Sequence, residues 1–145
     1  MEPTGALAIA KRYTDSITGK SGHAEPDIFA AEVSIWKNVS PEIKKVSGPA
    51  FATALAGGKS EYRSKSIDNY RVEVDNTRET SDGFIVQFAV RGTAHDGSNI
   101  AAYVSQIITL DKDRRITRFE EYEDLGQHQY LLAADRESGW KNPEA

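Results

Sequence analysis

The 145-residue sequence contains no cysteine and a single methionine. Without cysteine the chain can form no disulfide, no thiolate nucleophile and no cysteine-ligated zinc site, which fits a reducing compartment. It also lacks the run of about 18 apolar residues that a transmembrane helix needs. Its first ten residues show no basic start followed by an apolar stretch, so no signal peptide is indicated. We therefore expect a cytoplasmic protein with no membrane partner.

An excess of positive charge is missing as well. Lysine and arginine total 18 against 22 aspartates and glutamates, and the formal net charge is −4. Nucleic-acid binding needs a basic face that neutralises phosphates, so the composition argues against a nucleic-acid partner. The three histidines, His23, His95 and His128, lie far apart in the chain, and no spacing typical of metal ligands occurs. We expect neither a metal nor an organic cofactor.

The first third of the chain has helical periodicity interrupted by turn residues. Apolar positions spaced by four, three and four residues predict an amphipathic first helix, with Ala6, Ala10, Tyr13 and Ile17 on one stripe. Pro26 suits the first turn of a short second helix carrying residues 28–30. Residues 33–39 are typical of a strand, and 47–49 open a third helix that a glycine pair stops at 57–58.

From about residue 66 the apolar period changes to two, which predicts four long strands in a meander. Turns are indicated at 82–83 and 96–97, and a last helix is expected over 127–136. Helices segregated from an antiparallel sheet define an α+β class. We predict a cone-shaped, curved antiparallel sheet with N-terminal helices enclosing a pocket, as one domain over 1–136 followed by a tail over 137–145.

Polar residues on the inward face of this sheet are the candidates for chemistry. Gln106 is the one amide in an apolar alternation, and Glu121 shares a strand face with Phe119, so both should point inward. A desolvated carboxylate suits a general acid or base. Tyr13 lies on the inward stripe of the first helix, where its hydroxyl could reach the pocket. Alternatives stay open: Gln106 bonded to backbone or water, Tyr13 as a core aromatic, and a register slip placing Glu121 in solvent.

Two segments resemble the nuclear transport factor 2-like superfamily, within it the SnoaL-like (polyketide cyclase-like) group. Residues 29–38, FAAEVSIWKN, are similar to its first strand, Phe-Ala-x-Asp-Val-x-aromatic-x-Asn/Asp. Residues 115–124, RITRFEEYED, are similar to its closing strand, Lys-Ile-x-Arg-x-x-Glu-Tyr-x-Asp. The resemblance covers about residues 5–126. It implies the fold, but this fold hosts isomerases, epoxide hydrolases, cyclases, dehydratases and non-catalytic binders.

Three enzyme groups of this superfamily provide templates. The ketosteroid isomerases have a carboxylate base at the end of the first strand, where this chain has Asn38. An amide cannot accept the proton, so the resemblance does not imply that mechanism. In this chain Trp36, Asn38 and Glu121 occupy the positions of the residues that hold water in the limonene epoxide hydrolases. Those enzymes also use an arginine and an acidic partner, and this chain has apolar residues at both of those positions. SnoaL-type cyclases use a single acid/base carboxylate in an apolar pocket, a role that Glu121 can fill.

Two hypotheses follow from the residues and the resemblance. In the first, the chain is a cofactor-independent enzyme acting by proton transfer on a small apolar carbonyl or hydroxyl compound. Glu121 is then the catalytic group, and the pocket is formed by Tyr13, Trp36, Asn38, Phe84, Phe88, Gln106 and Phe119. In the second, the chain is a non-catalytic ligand-binding or association module, a homodimer through the outer sheet face bearing Tyr103, Ile107 and Tyr122. An isolated carboxylate in a cavity would favour the enzyme, whereas Glu121 paired with Arg118 or Lys37 in a filled core would favour the module.

Overall fold

The computed structural model describes residues 5–19, 26–54 and 63–138. The elements below are those whose two ends both fall within these ranges. In chain order they are α1 (Ala6–Ile17), a 3-10 helix (Pro26–Ile28), β1 (Phe29–Lys37), β2 (Ser40–Ser47), α2 (Gly48–Thr53), β3 (Ile67–Thr80), β4 (Gly83–Ala94), β5 (Asn99–Leu110), β6 (Ile116–Glu123) and α3 (Leu125–Ser138).

The six strands form one sheet in the order β2-β1-β6-β5-β4-β3. The meander from β3 to β6 is antiparallel, as the period-two pattern predicts. The pairing of β1 with β6 is parallel, so the sheet is mixed rather than wholly antiparallel. This pairing brings the N-terminal hairpin of β1 and β2 beside the last strand. The α+β fold class is confirmed.

The sequence pattern did not indicate β2, and it placed the start of β1 four residues too late. Phe29 and Ala30 belong to β1 rather than to a second helix, which is reduced to the 3-10 turn at Pro26–Ile28. Strand β2 is an edge strand with six consecutive residues exposed or half-exposed, so it lacks the apolar alternation of a strand with one buried face. Pro41 lies within it because an edge strand can lack one backbone donor.

The sheet curves because its long strands carry bulges. The pairing of β3 with β4 shifts register between Asp68 and Arg71 and again between Val74 and Asn76. Asn69, at the first bulge, has a positive φ of 54°. Bulges increase the local twist and bend the strand. The concave face therefore turns toward the helices and encloses the core.

An aromatic cluster fills the core between this concave face and the helices. Phe119 of β6 is at its centre, with ring centroids 5.6 Å from Tyr13 of α1, 5.1 Å from Phe51 of α2 and 6.5 Å from Phe29 of β1. The predicted inward stripe of α1 is buried at Ala10, Tyr13 and Ile17. These contacts fix α1 and α2 across the sheet.

The C-terminal helix is longer than the predicted 127–136. It begins at Leu125 and ends at Ser138, so it includes the start of the predicted tail. Residues 139–145, and the helix stop at 57–58, lie outside the described residues. In the described part of the chain, no helix has the length and apolar character required to cross a membrane.

Candidate functional site

A cavity of about 60 Å³ lies inside the cone, beside the inner end of α1. Strands β3 to β6 form its floor, and α1, α3 and Arg63 close its sides. Its apolar walls are Ile17, Val72, Phe88, Val90, Val104 and Leu131, and its polar walls are Tyr13, Arg63, Tyr70, Gln106, Glu121 and Glu123. Three predicted polar site residues, Tyr13, Gln106 and Glu121, thus meet in one cavity wall.

These three residues form a hydrogen-bonded relay. The Tyr13 hydroxyl donates to Oε1 of Gln106 at 2.5 Å. Nε2 of Gln106 donates to Oε1 of Glu121 at 2.6 Å. Gln106 and Glu121 are backbone register partners on β5 and β6, so their side chains leave the same face of the sheet. The relay gives both ends of the buried amide a partner, as a buried polar group requires.

Glu121 is 8% exposed and has a second neighbour, Lys37 at the end of β1. The distance from Lys37 Nζ to Glu121 Oε2 is 3.5 Å. That exceeds the roughly 2.7–2.9 Å of a charge-assisted hydrogen bond. Arg118 pairs instead with Glu120, at 3.1 Å. The structure therefore combines a cavity-lining carboxylate with a long ion pair to Lys37.

Arg63 and Asp135 form a buried ion pair at the side of the cavity. Arg63 is 6% exposed; its Nε donates to Asp135 Oδ1 at 2.8 Å, and its Nη2 donates to Asp135 Oδ2 at 3.1 Å. Tyr70 accepts a third, long hydrogen bond of 3.5 Å. Desolvation lowers the pKa of the Arg63 guanidinium, but its contacts with Tyr70 and Asp135 raise that pKa by more, so the charge persists. This two-pronged contact ties α3 to the chain before β3.

A second carboxylate of β6, Glu123, reaches the same cavity two residues after Glu121. Its Oε2 lies 3.2 Å from Nδ1 of His128 on α3. Both atoms are buried, and a proton on Nδ1 would turn this contact into a hydrogen bond. The periodicity of neither element indicates this pair, because it joins the end of a strand to the helix that follows.

The predicted aromatic walls divide into two groups. Phe88 lines the cavity. Phe84 and Phe119 are fully buried behind Tyr13, with centroids 6.2 Å and 5.6 Å from its ring, and belong to the core. They support the Tyr13 ring rather than the cavity surface.

Trp36 and Asn38 are placed away from the cavity. Trp36 lies on the face of β1 opposite the buried Val33 and Ile35, where its ring packs 5.3 Å from that of Tyr122. The Asn38 amide donates to the Glu123 carbonyl at 3.0 Å and accepts from the Glu123 N–H at 2.8 Å. Asn38 therefore extends the β1–β6 pairing at the strand ends, and its side chain is used in that contact.

No group of three His, Asp or Glu side chains within the described ranges is placed to hold a metal ion. Lys37 is one of the two partners expected for Glu121, and the polar residues that the sequence pattern missed are Arg63, Glu123, His128 and Asp135. Glu123 could have been found from the alternation, since it shares a face with Glu121. Arg63 and Asp135 carry no local signal, because they are 72 residues apart in the chain. His128 gives none because its contact with Glu123 joins a strand to a helix, and no single periodicity covers both.

Comparisons with protein-family models and with curated proteins give no match. Solved structures give many. A protein of ketosteroid isomerase-like fold from Catenulispora acidiphila, in complex with trimethylamine, is 15% identical with a TM-score of 0.61, over 95% of this chain and 100% of that one. A candidate SnoaL-like polyketide cyclase from Shewanella putrefaciens is 13% identical with a TM-score of 0.61, over 91% and 88%. A steroid delta-isomerase from Pseudomonas aeruginosa is 15% identical with a TM-score of 0.61, over 92% and 88%. These likenesses confirm the expected fold.

Proposed function

We propose that this chain binds a small compound carrying a carbonyl or hydroxyl group in the cavity lined by Tyr13, Gln106 and Glu121, called the first cavity below. We propose further that Glu121 accepts a proton from this compound and returns it. The observation that carries the proposal is the placement of Glu121: an 8% exposed carboxylate in a cavity wall, held through Gln106 by Tyr13. Desolvated, oriented carboxylates are typical proton-transfer groups in enzymes.

The direction of the relay supports a proton-accepting role for Glu121. The Gln106 carbonyl oxygen accepts from Tyr13, which leaves the Gln106 N–H to donate to Glu121. Oε1 of Glu121 is therefore held as a hydrogen-bond acceptor. Tyr13 and Gln106 are then positioning residues, because they act through Glu121. Lys37 partly balances the charge of the Glu121 carboxylate. Its Nζ is 3.5 Å from Oε2, longer than the distance in a close, structural ion pair.

The size of the cavity restricts the compound. About 60 Å³ is well below the roughly 300–1,000 Å³ of most sites for drug-sized ligands. The bound part is therefore a small group, such as a carbonyl and the carbons beside it, packed against Phe88. The trimethylamine complex of the Catenulispora acidiphila protein supports a ligand of a few atoms in this fold. The reaction needs no cofactor, because the carboxylate itself accepts and returns the proton.

Proton exchange at carbon tests this function without knowledge of the physiological substrate. Small ketones, aldehydes and 2-hydroxy ketones are incubated with the protein in deuterated water, and loss of the α-proton signal is followed by proton NMR. We expect at least one compound to exchange faster than in buffer. Glu121→Gln keeps an acceptor for Gln106 but removes the base, and should slow that exchange by about 100-fold or more.

Glu120→Gln is the matched control for this experiment. Glu120 is the neighbouring carboxylate on the other face of β6, paired with Arg118, and its loss should leave the exchange rate unchanged. If no compound exchanges faster than in buffer, or if Glu121→Gln retains the full rate, the proton-transfer function is wrong.

A second candidate function, association of two copies, is supported by the outer face of the sheet. Tyr103 and Tyr122 are 53% and 45% exposed there, with Ile107 half-buried between them in sequence. Large exposed aromatics favour protein interfaces.

Sedimentation velocity at micromolar concentration should show a dimer that the double variant Tyr103→Lys/Tyr122→Lys dissociates. Ile43→Lys, which changes an exposed apolar residue of β2, should not. A monomeric wild type would contradict the dimer.

A further inference from the structure

A second cavity, of about 250 Å³, opens between the β1–β2 hairpin and α3. The hairpin supplies most of its wall, and α3 contributes His128 and Leu132. Its volume is close to the lower end of the range for small-molecule sites, roughly 300 Å³. It is therefore a larger space than the first cavity.

The basic groups of this cavity are more sheltered than its acid. Lys37 and His128 side chains are 18% and 19% exposed, and Lys44 is 35% exposed. The one acidic residue in the wall, Glu42, is 72% exposed. A sheltered cation interacts more strongly with a bound charge than an exposed one, because solvent screens it less. The cavity thus favours a negative charge.

The two cavities share a wall made of two contacts between a carboxylate and a basic side chain. Glu121 and Glu123 line the first cavity, while their basic partners Lys37 and His128 line the second. Because the carboxylates face one side and the bases the other, the wall is polarised. A ligand of the second cavity meets its positive side.

The contact of Lys44 with its acidic neighbour is too long for a hydrogen bond. Lys44 Nζ lies 3.9 Å from Glu42, compared with 2.7 Å between Lys11 and Asp15 on α1. A carboxylate in the cavity could approach Lys44 more closely than Glu42 does. The nearby side chains of Ile35, Val39 and Leu132 would contact the apolar part of the same molecule.

We propose that the second cavity binds a small organic carboxylate with an apolar body. Lys44 and Lys37 supply the positive charge. His128, whose Nδ1 faces Glu123, offers its other ring nitrogen to the ligand. This site is a separate cavity, since no residue of its wall lines the first one, although Lys37 also lies 3.5 Å from Glu121.

The test uses benzoate as the probe and benzamide as its neutral isostere. The whole chain, labelled with nitrogen-15, is titrated with each compound and followed by amide NMR. Benzoate should bind saturably and shift the amides of Val39, Lys44, His128 and Leu132. Benzamide should bind about fivefold more weakly or not at all, since it lacks the charge. Equal affinity for the two compounds, or no saturable binding of benzoate, overturns the proposal.

Adjacent lysines on opposite faces of β2 provide matched variants. Lys44→Gln should weaken benzoate binding about fivefold, whereas Lys45→Gln should change it less than about twofold. Lys45 is 65% exposed and lies 3.8 Å from Glu32, away from the cavity. Leu132→Glu, at a 45% exposed position that tolerates charge, should also reduce binding by repelling the probe. Identical behaviour of the two lysine variants would exclude this cavity as the site.

Discussion

Gln106 and Glu121 face each other twice, as register partners in the β5–β6 ladder and as side chains joined by a 2.6 Å hydrogen bond. Because Gln106 also accepts from the Tyr13 hydroxyl, one amide satisfies two buried polar groups. The stability of the core and the orientation of Glu121 consequently depend on the same side chain.

Gln106→Leu should lower the free energy of unfolding by about 3 kcal/mol. The substitution leaves Tyr13 and Glu121 without this partner, and each unsatisfied buried group costs about 1–3 kcal/mol. Urea denaturation measures the change. Gln87→Leu, on the exposed side of β4, is the control and should cost less than about 0.5 kcal/mol. A similar loss in both variants would contradict the role of the relay.

Alternation of side chains in β5 and β6 was sufficient to predict that Gln106 and Glu121 share a face. It left open whether Lys37 or Arg118 approaches Glu121, because that choice depends on the parallel β1–β6 pairing. In β1 the same alternation turns Trp36 outward, because it lies on the face opposite the buried Val33 and Ile35.

Asp135→Asn should reduce stability by about 3 kcal/mol, because it leaves the guanidinium of Arg63 buried without its carboxylate. Chemical denaturation of the variant gives the value. Asp15→Asn, in the exposed Lys11–Asp15 pair of α1, should cost less than about 1 kcal/mol. If the two variants lose the same amount, Arg63 is not held by Asp135 in solution.

The fold was predicted where the apolar period is strong and was missed at β2, one of the two edge strands of the sheet. The β3–β6 meander has one buried face, so its pattern is clear. Strand β2 has only Val46 buried, and its pairing with β1 through Lys44 and Ile35 leaves no apolar alternation to detect. Burial, rather than backbone pairing, produces the pattern that a sequence reveals.

Gly83→Ala should destabilise the protein by about 3 kcal/mol. A Cβ at this position would lie 1.9 Å from the carbonyl oxygen of Ile108 on the neighbouring strand, so the backbone must move. Gly97→Ala is the control: Gly97 has a φ of +86° but open space around it, and only the backbone strain of about 1 kcal/mol is expected. Thermal and urea unfolding of both variants separate the steric effect from the conformational one.

Stability should also depend on pH through the contact between α1 and the turn before β1. Hydrogen bonds from Arg12, at 2.7 and 2.9 Å, lower the pKa of the Asp27 carboxyl below its ordinary value of 3.8. A lowered folded-state pKa means that the unfolded chain binds the proton more readily, so the contribution is complete above 3.8 and lost as the pH falls through the folded value. Both side chains are substantially exposed, which limits the effect to less than about 1 kcal/mol.

Urea denaturation at several pH values should therefore show Asp27→Asn less stable than wild type near neutrality and equal to it in acid. In an Arg12→Gln background the same substitution should have little effect at any pH; a difference that persists there, or one that grows in acid, would assign the pH dependence to another group.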